Sequence, residues 1–194
     1  PLIIQPGAPL YTYYDYLESD GNQQYIDTGL PANDNTEIHT SIQITSPKVQ
    51  TFFGVVWSGK GVTINQVTNS RVDLNFSYSI SAVSWDFAGW NDVKFGRTTE
   101  ITHGGTTHTY NFNPTTFNTG FSIYLFAQNR GGLVRENAMC RLTETRIYDN
   151  GVLVQYFRPA VRNSDGVAGM HDVVNGVFYT NANPAGDNFL YGNF

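Results

Sequence analysis

The chain has one cysteine, few charges and no long apolar run, and each shortage removes a class of protein. A lone thiol, Cys140, cannot close an internal disulfide, so the fold does not depend on an oxidising compartment, although it is compatible with one. In the run Ala138-Met-Cys-Arg-Leu142 it reads as a small buried strand residue, without the activating neighbour that a catalytic thiol needs. Asp, Glu, Lys and Arg make up only 14% of the residues, the formal net charge is −5, and no Lys/Arg run occurs. Phosphate-driven nucleic-acid binding requires a basic patch that releases counterions, so nucleic acid is not an expected partner. No stretch approaches the ~18 consecutive apolar residues of a membrane-spanning helix, and membrane insertion is not expected either. Pro1 to Leu10 lacks the basic start and apolar run of a signal peptide, and reads as a processed end or part of a longer polypeptide.

What is present points to sheet. Phe, Tyr and Trp number 13, 12 and 3, and apolar residues recur with a period near two in short runs between Gly, Asn, Asp and Pro clusters. Helical stripes are absent. The pattern predicts strands over 24–28, 37–44, 50–57, 62–66, 71–78, 91–95, 100–103, 107–112, 121–128, 139–149, 152–158, 177–179 and 188–191. Asn150-Gly151 and Asn175-Gly176 supply the positive φ angles of two-residue hairpins, and Gly104-Gly105 is a third candidate. Over 121–128, Phe121, Ile123, Leu125 and Ala127 share a core face, leaving Tyr124 and Phe126 on a half-wet one. The chain length suits one all-β domain: 14–194 form the domain, and 1–13 read as an N-terminal arm or linker that could also lie along a sheet edge.

Four segments carry a family likeness: the strand Gln24 to Thr28 closing Tyr14 to Gly29; Ile123-Tyr-Leu-Phe-Ala127; Glu144-Thr-Arg-Ile-Tyr-Asp-Asn-Gly151; and Asp165-Gly-Val-Ala-Gly-Met-His-Asp172 running on to Phe178-Tyr-Thr-Asn181. In order and spacing the chain resembles the laminin-G-like, concanavalin-A-like domains. The resemblance implies an all-β, antiparallel two-sheet jelly-roll sandwich. It also implies an extracellular setting on a bacterial cell surface or phage virion, where such modules bind more often than they catalyse. Fold alone does not fix function, because the same sandwich hosts lectins, adhesins, glycanases and structural domains.

Catalysis needs groups that the residues do not supply. Sandwich glycanases of this kind alternate carboxylates along one strand, so that acid and nucleophile stand about 5 Å apart. Here Glu144 shares its face with Arg146 and reads as a salt-linked strand partner. His39, His103, His108 and His171 are dispersed, without a nucleophile elbow. His103 and His108 flank the Gly104-Gly105 turn, but two imidazoles without a third ligand make a weak zinc site. No cofactor is expected. Calcium is a possibility without an assignable site: Asn163-Ser-Asp-Gly166 and Asp149-Asn150 hold the oxygens, but the same sequences make turns without an ion.

Glycan recognition stacks a sugar's C–H face on an aromatic ring and bonds its hydroxyls to polar side chains. Trp85 with Asp86, in Ser84-Trp-Asp-Phe-Ala-Gly-Trp-Asn-Asp92, supplies that mixture, against the alternative of ordinary loop packing. Asn129 and Arg130, in the loop Gln128-Asn-Arg-Gly-Gly132, add donors and acceptors. Trp90 is expected to pack inward, as the family resemblance implies, and Trp57 to lie in the core or at a sheet rim. The expectation is a non-catalytic recognition or adhesion module for cell-surface glycan, with a homo-oligomer or a larger parent protein as its expected context. The alternatives are a decoration or oligomerisation domain of a virion and a glycan-cleaving enzyme of the same fold.

Overall fold

The computed structural model describes residues 9–194. In chain order its strands are β1 (Tyr11–Tyr13), β2 (Tyr16–Asp20), β3 (Ile26–Asn33), β4 (Thr36–Ile44) and β5 (Gln50–Trp57). There follow β6 (Lys60–Thr68), β7 (Arg71–Ser77), β8 (Ser79–Val83), β9 (Asn91–Phe95) and β10 (Thr98–His103). Next come β11 (Thr106–Asn111), β12 (Asn118–Leu125), β13 (Gln128–Arg130), β14 (Leu133–Arg135) and β15 (Met139–Leu142). The last are β16 (Thr145–Asp149), β17 (Val152–Arg162), β18 (Val167–Asp172), β19 (Val177–Tyr179) and β20 (Leu190–Gly192). No helix occurs among the described residues.

Two sheets form. The 12-stranded sheet runs β11-β10-β9-β4-β16-β17-β18-β19; β15 pairs with β4 and β2, β20 with β2, and β1 with β17. The 8-stranded sheet runs β14-β13-β5-β6-β7-β8, with β12 against β5 and β3 against β12. Pairing is antiparallel except between β13 and β5. Strand alternation sets the two faces of each sheet. Along β4, Ile38, Ile42 and Ile44 are buried while Glu37, His39, Ser41 and Gln43 face outward. Phe95 of the larger sheet meets Phe53 and Phe76 of the smaller one edge-on, each at 5.7 Å between ring centres, and so joins the two layers.

Two of the expected turns close as written. Asn150 and Gly151 adopt φ of 50° and 77° between the paired residues Asp149 and Val152. Gly104 and Gly105, at 55° and 77°, do the same between His103 and Thr106. The third differs: Asp172 pairs with Val177, leaving a four-residue turn, 173–176. The buried Asp172 carboxylate organises that turn by accepting from Val174 N at 3.1 Å and Asn175 Nδ2 at 2.6 Å.

Other departures have local causes. The strand read over 121–128 stops at Leu125, because Phe126 takes φ of 66°. This reversal carries Phe126 into the core, while Tyr124, still on the opposite side of β12, is buried against Tyr25 at 4.7 Å, so neither ring is left half-wet. A non-glycine residue held there costs on the order of 1–3 kcal/mol, which the surrounding core must offset. The strand read over 139–149 is two, broken at Thr143 and Glu144. Strand β18 was hidden by its glycine: a Cβ on Gly169 would stand 2.1 Å from the Tyr179 carbonyl oxygen, so glycine permits β19 to pair closely. Of the expected arm, 1–8 lie outside the described residues, and Tyr11–Tyr13 pairs with Ala160–Arg162 of β17.

Candidate functional site

The break between β15 and β16 lies at the centre of the larger sheet's outer face, where cross-strand register assembles a polar row. Glu100 pairs with Lys94, Lys94 with His39, His39 with Arg146 and Arg146 with Tyr156. A second row sets Thr102 beside Asp92 and Asp92 beside Ser41, whose amide donates to Thr143 Oγ1 at 3.0 Å. All of these except Tyr156 line a groove of about 250 Å³. It continues into a second hollow of about 220 Å³, lined by Tyr14, Asp15, Arg158 and Phe194, and Thr143 and Glu144 belong to both.

The floor is held by charge pairing. Glu144 Oε1 meets an Arg146 nitrogen at 2.5 Å, and its Oε2 accepts a short hydrogen bond from the Tyr156 hydroxyl. The Arg146 guanidinium also lies over the Tyr156 ring, 4.5 Å from its centre. Burial, and then the bond to Glu144, push the Tyr156 phenol above its ordinary value, so that it remains a donor. The expected salt-linked role of Glu144 is therefore what the structure displays. Nearby, Ser41 Oγ donates to Asp92 Oδ1 at 2.5 Å, and His39 Nε2 is 2.6 Å from Glu37 Oε1. Such a surface offers carboxylate and hydroxyl acceptors beside Lys94 and Arg146 donors, a set suited to bonding hydroxyls.

Aromatic rings form the rim. Phe194 stands edge-on to Trp90 at 5.1 Å, and Tyr16 lies 6.3 Å from both. Tyr14 packs on Tyr191 at 4.3 Å. Phe194, which lines the second hollow, is 79% exposed, so one ring there is open to a ligand.

The four residues singled out from sequence are not brought together. Trp85 is 8% exposed and stacks on Phe52 at 5.4 Å, which corrects its reading as a surface platform. Alternation explains this: β8 delivers the chain back over the core, and Trp85 falls on the inward side. Trp90, expected inside, is half-buried at the groove rim, so the two indoles exchange roles. Asp86 Oδ1 accepts from Ala88 N at 2.9 Å and serves its own loop. Asn129 is 2% exposed; its amide donates to the Ser122 carbonyl at 2.9 Å and its oxygen accepts from Gly132 N at 2.7 Å. Arg130 alone is exposed. It ends β13, and β5, β6 and β7 separate it from β8 and the Trp85 loop. Trp57 is at a sheet rim, 49% exposed and packed on Phe121 at 5.0 Å.

The carboxylates considered for calcium are engaged by protein donors. Arg162 grips Asp165 at 2.6 and 3.1 Å and, as the largest cause, lowers its carboxyl below the usual range. Asn33 Nδ2 donates to Asp149 Oδ1 at 3.0 Å.

Sequence reasoning did not single out His39, Ser41, Asp92 and Lys94, although alternation within the strands read over 37–44 and 91–95 is a signal that puts them on one face. Their convergence needed the register of β9 on β4 and β4 on β16, which no local pattern encodes.

No protein-family model matches the chain, and no curated protein sequence matches it. Among solved structures, it is similar to domains LG4-5 of the mouse laminin alpha1 chain, with a TM-score of 0.50 and 12% identity. That likeness covers 79% of this chain and 48% of the other, so this chain spans about half of its length. At this identity the match establishes a laminin-G-like, jelly-roll sandwich fold.

Proposed function

We propose that the chain is a non-catalytic recognition module that lays a cell-surface glycan across the outer face of its larger sheet, within a bacterial surface or phage virion protein. The observation that carries this reading is that Thr143 and Glu144 line both the groove, with its hydroxyl-bonding floor, and the adjoining hollow, which the Phe194 ring lines. Five adjacent strands, β10 to β17, span about 19 Å at the usual strand spacing, enough for an extended ligand of several sugar rings. A recognition role also suits Glu144, whose two oxygens are both occupied by Arg146 and Tyr156 rather than turned to a reacting atom.

A glycan array, screened with and without calcium, tests this directly. For a glycan that binds, Phe194→Ala and Asp92→Ala each weaken affinity by roughly 1–3 kcal/mol while the melting temperature stays near that of the parent. Unchanged affinity in both variants removes the groove as the site, and release of oligosaccharide from any array member removes the non-catalytic reading.

One observation supports a second reading as an assembly domain. Edge strand β8, Ser79-Ile-Ser-Ala-Val83, carries no charge or proline, and Ile80 is 63% exposed. Such an edge is a template for pairing with another chain. A dimeric or trimeric mass in solution, lost in Ile80→Lys, would favour it.

A further inference from the structure

We infer a second site, separate from the groove, in which His103 and His108 seat a divalent transition-metal cation at the edge of the larger sheet. The two-glycine turn pairs His103 with Thr106 and Ile101 with His108, so the two histidines are diagonal neighbours on the same face. That face is the inner one: Ile101, which shares it, is fully buried. Thr102 and Thr107, whose hydroxyls bond each other at 2.8 Å, occupy the outer one.

The spacing suits one ion. The imidazole rings are 5.1 Å apart between centres, with planes inclined at 22°. With metal–nitrogen bonds of about 2.0–2.1 Å, each ring centre lies about 3 Å from the ion, so two ligands at right to tetrahedral angles stand about 4.5–5 Å apart. Near-parallel rings direct their lone pairs side by side, and a rotation of each half-buried ring about its χ2 turns them to a common point.

The neighbours orient the pair. Ser84 Oγ is 3.1 Å from His103 Nε2, and the Ser84 amide donates to the Tyr110 hydroxyl at 2.8 Å. With Nε2 engaged by Ser84, Nδ1 of His103 is the nitrogen available to a metal, the arrangement by which an outer partner fixes a ligand imidazole. Ser84 follows β8 of the smaller sheet, so this contact ties both sheets to the site.

No group of three or more His, Cys, Asp or Glu able to hold a metal occurs among the described residues. The protein therefore supplies two imidazoles, and water or a group from a bound partner completes the shell. An imidazole pair without carboxylates selects Cu²⁺, Ni²⁺ or Zn²⁺ over Ca²⁺ or Mg²⁺, with Cu²⁺ held most tightly.

Titration of the full chain with Cu²⁺, followed by calorimetry and electron paramagnetic resonance, tests the assignment. We expect one equivalent bound near neutral pH and a spectrum showing two imidazole nitrogens. His103→Gln and His108→Gln should each weaken binding by about tenfold or more, whereas His171→Gln, outside both the groove and this site, should leave it intact. Both histidines are partly exposed, and circular dichroism establishes that each variant is folded; if one is not, the other carries the test. Absence of stoichiometric binding, or binding that survives either substitution in a folded variant, overturns the site.

Discussion

The indole of Trp85 lies nearly parallel to the ring of Phe52, 5.4 Å away and inclined by 17°, and closes one end of the core between the sheets. Truncation there removes a large buried ring. Trp85→Ala should cost about 3–5 kcal/mol in chemical denaturation. Trp85→Phe should cost far less, because it keeps the stack and deletes an indole N–H that has no partner among the described residues. Equal stability of the alanine variant and the parent would return Trp85 to the surface.

Cys140 is fully buried, and burial, reinforced by Glu18, raises its thiol well above the ordinary cysteine range. A thiol reagent should leave the native chain unmodified and label one cysteine per chain once denaturant unfolds it. Rapid labelling of the folded protein would contradict this burial.

Stability should fall in mild acid through His171. Its Nδ1 lies 2.7 Å from the Tyr13 hydroxyl, and Tyr11 stacks on its ring at 4.3 Å. Burial, the largest cause, and the Arg158 guanidinium lower the imidazole below its ordinary value, with Asp172 opposing them. The unfolded chain then binds the proton more readily. The contribution is complete above the ordinary histidine value of about 6.5 and is lost as pH falls through it toward the lower folded value. Comparing melting temperatures from about pH 8 to pH 5, His171→Phe should show a shallower decline than the parent; identical slopes would exclude this histidine.

The Asn150-Gly151 turn offers a backbone test. Gly151 sits at φ 77° with open space where a side chain would project, so Gly151→Ala isolates conformational strain. A loss of about 1–2 kcal/mol is expected, and no loss would mean that the turn relaxes into another type.

How much could be read from the chain divides along the reach of the forces involved. Strands 50–57 and 91–95 and the Asn150-Gly151 hairpin were legible because two-residue periodicity and positive-φ preference are local. Phe126 and the two tryptophans were not. A phenylalanine at positive φ defies its own propensity and is held by tertiary packing, while Trp85 and Trp90, five positions apart in one loop, differ only in which side of the sandwich receives them. The groove was half legible. Strand alternation points His39, Ser41, Asp92 and Lys94 outward, but the pairing that sets Lys94 beside His39, Asp92 beside Ser41 and His39 beside Arg146 joins strands far apart in sequence.

Near its ends the chain meets itself. β2 pairs with β20, Asp15 N donates to the Gly192 carbonyl at 3.0 Å, and Phe194 N donates to Asp15 Oδ2 at 2.9 Å across a separation of 179 residues. These bonds enclose nearly all of the described residues in one loop, so they cannot form until both ends of that loop are available. Closure entropy places such long-range pairing late in folding and makes the whole process slow relative to helical chains of similar size.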